Sequence, residues 1–162
     1  MQTAAHDRYF RSDDHNHERC LRDAVATAAT LCAQRGARLT PLRRQVLALV
    51  WARHVPVLAY DLLDQLRARQ RRAAPPTVYR ALDFLLKLGL IHRIESLNAY
   101  VGCVDPFVEH AGQFLICNRC RSVAELDDAE IGDAVQARAT AAGFQVVRPT
   151  VEIRGICPAC AS

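Results

Sequence analysis

The sequence has 162 residues, a net charge of +4 at pH 7, 51% apolar and 23% charged side chains, the balance of an ordinary globular chain of one domain or two small ones. The opening MQTAAHDRYFRSDDHNHERC lacks the apolar core of a secretory leader, and no apolar run approaches the ~18 residues that span a bilayer. A cytoplasmic protein with no membrane partner is therefore expected, in which the seven cysteines stay reduced and serve metal binding or catalysis rather than a disulfide framework. The charge is uneven. Residues 1–96 hold 16 Arg or Lys against 9 Asp or Glu, whereas residues 97–162 hold 5 against 8. The first part suits a polyanion partner, or is a solvated basic surface; the second part does not invite one.

Taken in chain order, residues 1–17 are expected to be a disordered tail. Leu21, Val25, Ala28 and Leu31 recur at helical spacing, which predicts a helix over 18–35 with Gly36 as its stop. Thr40 is a capping residue and Pro41 suits the first turn of a second helix, LTPLRRQVLALVWARH. A third, VLAYDLLDQLRARQ, turns Leu62, Leu63 and Leu66 inward. RRAAPP breaks the pattern, and PPTVYRALDFLLKLGL is a fourth helix with Val78, Leu82, Leu85 and Leu86 on one face and Gly89 as its stop. LIHRIE, the turn SLN and AYVGC read as a β-hairpin.

Helices followed by a hairpin make a winged helix-turn-helix, in which one helix enters the major groove of double-stranded DNA and the hairpin lies beside the backbone. The outward face of the fourth helix carries Thr77, Tyr79, Arg80, Asp83 and Lys87. Arg pairs bidentately with guanine, and Thr or Tyr contacts phosphate or a thymine methyl. The same pattern also describes a plain amphipathic surface helix. CVDPFVEH is a connector. GQFLIC and RSVAEL read as strands, 127–142 as an Ala-rich helix, and FQVVRPTVEIRGIC as one strand or two broken at Pro149. The fold class is thus α+β, with a winged-helix domain at 18–102, a hinge at 103–110 and a small α/β domain at 111–162. The last has too small a core to stand without a metal staple or a partner subunit.

Two CxxC pairs, ICNRC and ICPAC, place Cys117, Cys120, Cys157 and Cys160 as C-x2-C-x36-C-x2-C. A redox pair, two buried thiol pairs and a metal site are the possible readings. The doubled spacing favours a closed, structural zinc–thiolate site, because each turn chelates with two sulfurs and two turns complete a tetrahedron. Around the hinge, His92, Cys103, His110 and Glu125 offer one sulfur, two nitrogens and one oxygen, which is also a tetrahedral zinc donor set. Taken singly they read as a buried thiol, polar histidines and a surface acid. Cys20 and Cys32 read as packing thiols on the first helix, and Asp13, Asp14, His15 and His17 as a solvated tail. Asp105 and Glu109 are substitute ligands, and His54 is a helix-end residue.

The motifs CAQRGARLTPLRRQVL, AYDLLDQLR, PPTVYRALDFLLKLGLIHRIES and FLICNRC…GICPAC together resemble the ferric uptake regulator superfamily, most closely its zinc uptake regulators, over nearly the whole chain from residue 18 to 160. That resemblance implies a homodimeric, metal-dependent repressor whose C-terminal domain dimerises. It implies two zinc ions per chain: a structural one on Cys117, Cys120, Cys157 and Cys160, and a regulatory one on His92, Cys103, His110 and Glu125. Tyr60 and Arg80 match base-contacting positions, and Asp64 and Arg67 match a pair that links neighbouring dimers, two to an operator. The His-His-Asp-His run of iron and manganese sensors is replaced here by DPFVEHAG, which leaves a thiolate-containing site suited to zinc. The expected mechanism is a clamp: zinc at the hinge fixes the two recognition helices of a dimer about 34 Å apart, one turn of DNA. The alternatives are a sensor of another metal on the same fold, or a thiol-redox regulator using Cys20, Cys32 or Cys103. A zinc hydrolase is excluded, since four protein ligands leave no coordination position for water.

Overall fold

A computed structural model describes residues 10, 17–53, 55–69, 73–108, 110 and 112–161. The chain divides into two units, one built from residues 12–108 and the other including 109–162.

The first unit holds helices α1 (His17–Gln34), α2 (Pro41–Val50), α3 (Ala59–Arg69) and α4 (Pro75–Lys87), with strands β1 (Val57–Leu58), β2 (Ile91–Ile94) and β3 (Ala99–Gly102). Helix α2 begins as the sequence predicts: the Thr40 hydroxyl accepts the Arg43 N–H at 3.4 Å and Pro41 occupies the first turn. Helix α4 has no side-chain cap at Ala74 and starts instead on Pro75 and Pro76. Their missing N–H groups fall where a helix has no acceptor to offer, so the start costs little. Gly89, at φ +71°, ends that helix in the left-handed conformation that glycine adopts without steric cost.

The core follows from these registers. Val46, Leu47 and Val50 of α2, Leu62, Leu63 and Leu66 of α3, and Val78, Leu82 and Leu85 of α4 are buried together, with Ala28, Leu31 and Cys32 from α1. The hairpin pairs His92 with Val101 and Arg93 with Tyr100. It turns through a single 3-10 turn, Glu95–Leu97, and Asn98 at φ 48°. The predicted third helix starts two residues late, because Val57 and Leu58 pair with Tyr100 and Ala99 as a third strand, giving the order β1-β3-β2. Helix α2 stops at Val50 rather than running on toward residue 54.

The second unit holds β4 (Gly112–Cys117), β5 (Val123–Leu126), α5 (Ala129–Ala141), β6 (Thr150–Gly155) and α6 (Pro158–Ala161). The sheet order is β5-β4-β6. β4 and β5 form an antiparallel hairpin, and α5 carries the chain over so that β6 runs parallel to β4. Asp128 caps α5, accepting from Glu130 N at 2.9 Å and Ile131 N at 3.3 Å. Of the strand expected over 144–157, only Thr150–Gly155 pairs. Pro149 cannot donate to a ladder, and pairing begins at the next residue. The buried apolar residues of this unit among those described are Phe114, Ile116, Cys117, Ala124 and Cys157. Helix α5 buries none of its residues fully, and Phe144 and Val147 stand exposed.

Among the described residues no helix is long and apolar enough to cross a membrane. The expected tail residues Asp13, Asp14 and His15, the side chain of His17, and His54 and Glu109 lie outside the described residues.

Candidate metal centre and recognition surface

The register of β4 against β6 builds the cysteine cluster. Cys117 ends β4 opposite Gly155, so Cys157 arrives two residues beyond its partner strand. The chain after Cys117 folds into a tight knuckle: Arg121 N donates to Cys117 O, Cys117 N donates to Ser122 O, each at 3.0 Å, and Arg121 takes φ 62°. Asn118 N pins the knuckle to Gly155 O at 2.8 Å. On the other side, the short α6 brings Cys160 back toward Cys157 through Cys160 N to Cys157 O at 2.9 Å. The four sulfurs all lie within 4.8 Å of one another.

The surroundings of the four thiols differ. The Cys157 N–H donates to Cys117 Sγ at 3.4 Å, and this bond, with others from Cys120 and Arg119, brings the Cys117 thiol down to about 6. A hydrogen bond with the Ser122 hydroxyl, at 3.0 Å, draws Cys120 down as well. Burial pushes Cys157 up, and the neighbouring sulfurs of Cys157 and Cys120 push Cys160 up to about 12. Four thiolates this close together repel one another, so all four are stable in that form only around a positive ion. Thiolates at ~2.3 Å from a tetrahedral zinc stand about 3.8 Å apart, and Cys120 and Cys157 Sγ are separated by 3.6 Å. The donor set and its spacing fit zinc.

The other four candidate ligands form two pairs, one in each unit. In the first, His92 lies on β2 opposite Val101, and Cys103 stands two residues beyond Val101 just past β3. Side chains two apart on a strand share a face, so both point the same way; a ring nitrogen of His92 lies within 4.8 Å of the Cys103 sulfur. Both are buried, at 5% and 3% exposure. In the second unit, His110 precedes β4 and Glu125 lies on β5 opposite Phe114. His110 Nε2 and Glu125 Oε1 are 2.7 Å apart, with the carboxylate 9% exposed. Each pair joins donors of the types that zinc accepts.

Helix α4 divides as its sequence predicts. Val78, Ala81, Leu82 and Leu85 are buried, while Thr77, Tyr79, Arg80, Asp83 and Lys87 are exposed. Tyr60, at the start of α3, is 71% exposed. Asp64 and Arg67 are exposed one turn apart on α3, and Arg67 Nε donates to the Ala73 carbonyl at 3.3 Å. Arg43 stacks over the Phe84 ring at 3.5 Å and so bridges α2 to α4. Sequence reasoning missed the supports of the cysteine cluster: the Ser122 hydroxyl on Cys120, and Arg119, whose guanidinium donates to the Cys160 carbonyl. Their position inside and just after CNRC was the only signal available.

Comparison with known proteins gives a consistent picture. The ferric uptake regulator family model matches residues 34–154. The zinc uptake regulation protein of Escherichia coli (strain K12) is 42% identical over 139 residues, spanning 85% of this chain and 81% of that protein. That of Mycobacterium tuberculosis (strain H37Rv) is 35% identical over 107 residues, 64% of this chain and 79% of its own length. Among solved structures, a zinc uptake regulator complexed with zinc and DNA has a TM-score of 0.83 at 42% identity, covering 87% of this chain and 95% of the other. The holo form of XcZur has a TM-score of 0.78 at 47% identity, covering 85% and 96%.

Proposed function

This chain belongs to the ferric uptake regulator family, and from that premise we propose that it is a zinc-responsive, DNA-binding transcriptional repressor, not an enzyme, acting as a cytoplasmic homodimer. One observation carries the reading: a single winged-helix unit combines an exposed helix face, with Thr77, Tyr79, Arg80 and Lys87, and two buried donors, His92 and Cys103, on the adjoining wing. Arg80 and Tyr60 read bases; Thr77, Tyr79 and Lys87 hold phosphates. Asp64 and Arg67 meet a neighbouring dimer on the same operator. Dimerisation falls to residues 111–162, where α5 lacks a buried face and Phe144 and Val147 are exposed, with residues 18–102 as the DNA-binding domain and 103–110 as the hinge.

Two zinc ions per chain are proposed. Cys117, Cys120, Cys157 and Cys160 hold the structural ion, a role supported by their mutual spacing and by the soft donor set. His92, Cys103, His110 and Glu125 hold the regulatory ion. Zinc would supply there a double positive charge that balances one thiolate and one carboxylate. The two ligand pairs come from the wing and from the linker and β5, so joining them fixes the presentation of α4 in each subunit. Linkage then requires that operator DNA tighten zinc binding by the factor by which zinc tightens DNA binding.

The test is operator binding by the purified protein across zinc-buffered solutions, with zinc per chain counted alongside. The expected result is one tightly held ion and a second whose binding switches on DNA affinity. Cys103→Ser is expected to remain a folded dimer that ignores free zinc. Operator affinity that is independent of free zinc in the parent protein overturns the reading.

A further inference from the structure

Trp51, the one tryptophan of the sequence, is half-buried at the C-terminal end of α2, where its backbone N–H donates to Leu47 O at 3.0 Å. Its indole lies directly against the backbone of Gly102. A Cβ placed on Gly102 would stand 2.2 Å from Trp51 Cε2, 2.4 Å from Nε1 and 2.7 Å from Cδ2. No side chain fits at position 102 while the indole is there. Gly102 is the last residue of β3, paired with Ile91, and Cys103 follows it with its N–H on Leu90 O at 3.1 Å. On its other side α2 shares one core with α4, through Val46, Leu47 and Val50 against Val78, Leu82 and Leu85. A short path of contacts therefore runs from Cys103 through Gly102 and Trp51 to the helix that carries Arg80.

We propose that Trp51 is a positioning residue for the zinc response: by bearing on Gly102 it holds the end of β3 so that Cys103 meets His92 in ligand register, and it passes the state of that pair to α2 and α4. This rests on the reading of His92 and Cys103 as zinc ligands. The physical need is specific. Glycine gives the backbone before Cys103 more freedom than any other residue, and the broad indole removes it by contact rather than by sequence. Free to wander, Cys103 would lose the fixed donor geometry on which metal affinity depends.

The experiment uses the full-length protein with zinc alone as the ligand, and four readouts: Trp51 emission, zinc affinity by competition with a chelating dye, operator binding and thermal melting. Emission is expected to change with the second equivalent of zinc and to stay flat through the first. Trp51→Ala is expected to weaken the second ion at least tenfold, and operator binding with it, while the first ion remains. Gly102→Ala should do the same through the clash, and the double variant should be no worse than Trp51→Ala, because the clashing ring is gone. Should Trp51→Ala not fold, Trp51→Phe keeps a smaller ring against Gly102 and should fall between it and the parent. Unchanged affinity for the second ion in the folded variant, or flat emission while operator binding switches on, overturns the proposal. Cys103→Ser separates the two readings. If that variant keeps zinc-dependent operator binding, the ligand assignment fails and takes Trp51 with it. If it loses that response while the Trp51 variants keep it, the positioning role alone fails.

Discussion

Replacing Cys117 with serine should unfold the second unit and leave the first intact. Among the described residues, the buried apolar side chains of the second unit are Phe114, Ile116 and Ala124 besides Cys117 and Cys157, two of the proposed ligands. Burying Phe114 and Ile116 contributes about 1.5–3 kcal/mol each. A structural zinc held by four cysteines contributes about 10–16 kcal/mol in finger peptides, so the proposed ion would outweigh this small core. Cys117 also anchors the knuckle, accepting from Cys157 N and from Arg121 N, and serine offers oxygen where the site needs a soft thiolate. The first unit has a separate core spanning four helices and draws nothing from this cluster. Amide hydrogen exchange at one protein concentration reads both units at once. Residues 112–117, 123–126 and 150–155 should lose protection in Cys117→Ser, and in the parent after strong chelation, while residues 78–86 keep theirs. Native-like protection of the three strands in the zinc-free variant would refute the argument that the ion holds this unit.

Three smaller perturbations probe other parts. Arg80→Ala should cost about 1–3 kcal/mol of operator affinity and relax preference at one base position; an equal loss on every sequence would assign Arg80 to phosphate. Leu82→Ala empties a fully buried site beneath the same helix face and should lower stability by about 2–5 kcal/mol in denaturant titration. Asp128→Ala removes an acceptor for two N–H groups of α5 and should cost about 1 kcal/mol, seen as faster exchange in the first turn of α5.

What the sequence made legible was whatever repeats. The apolar spacing of Val78, Leu82 and Leu85 gave α4 its buried face, and the doubled CxxC named four sulfurs that the fold does bring together. His92 and Cys103 could be paired on paper only by assuming a hairpin, and the observed register, His92 opposite Val101, puts them on one face. What stayed hidden depends on neighbours remote in sequence. Val57 and Leu58 look like the start of a helix until β3 offers them an edge to pair with. Val147 belongs to an apolar stretch that reads as a strand, yet Pro149 cuts that stretch off from the ladder. The contact between Trp51 and Gly102 has no signature at all, because a bare backbone beneath an indole is visible only once both are placed.

The parallel pairing of β4 with β6 also has a consequence for how the protein is made. Cys117 and Cys157 lie forty residues apart in the chain, and β6 reaches β4 only after the crossover through α5 is complete. The strand pairing and the cysteine cluster are therefore long-range contacts, which form late because the intervening loop must first be closed. The helical unit, whose core elements all precede residue 103, can collapse while later residues are still being synthesised. A newborn chain thus passes through an interval in which α4 is already folded and the four cysteines are not yet gathered. On the proposal that this cluster holds zinc, supply of the ion at that moment would govern how many chains complete the second unit.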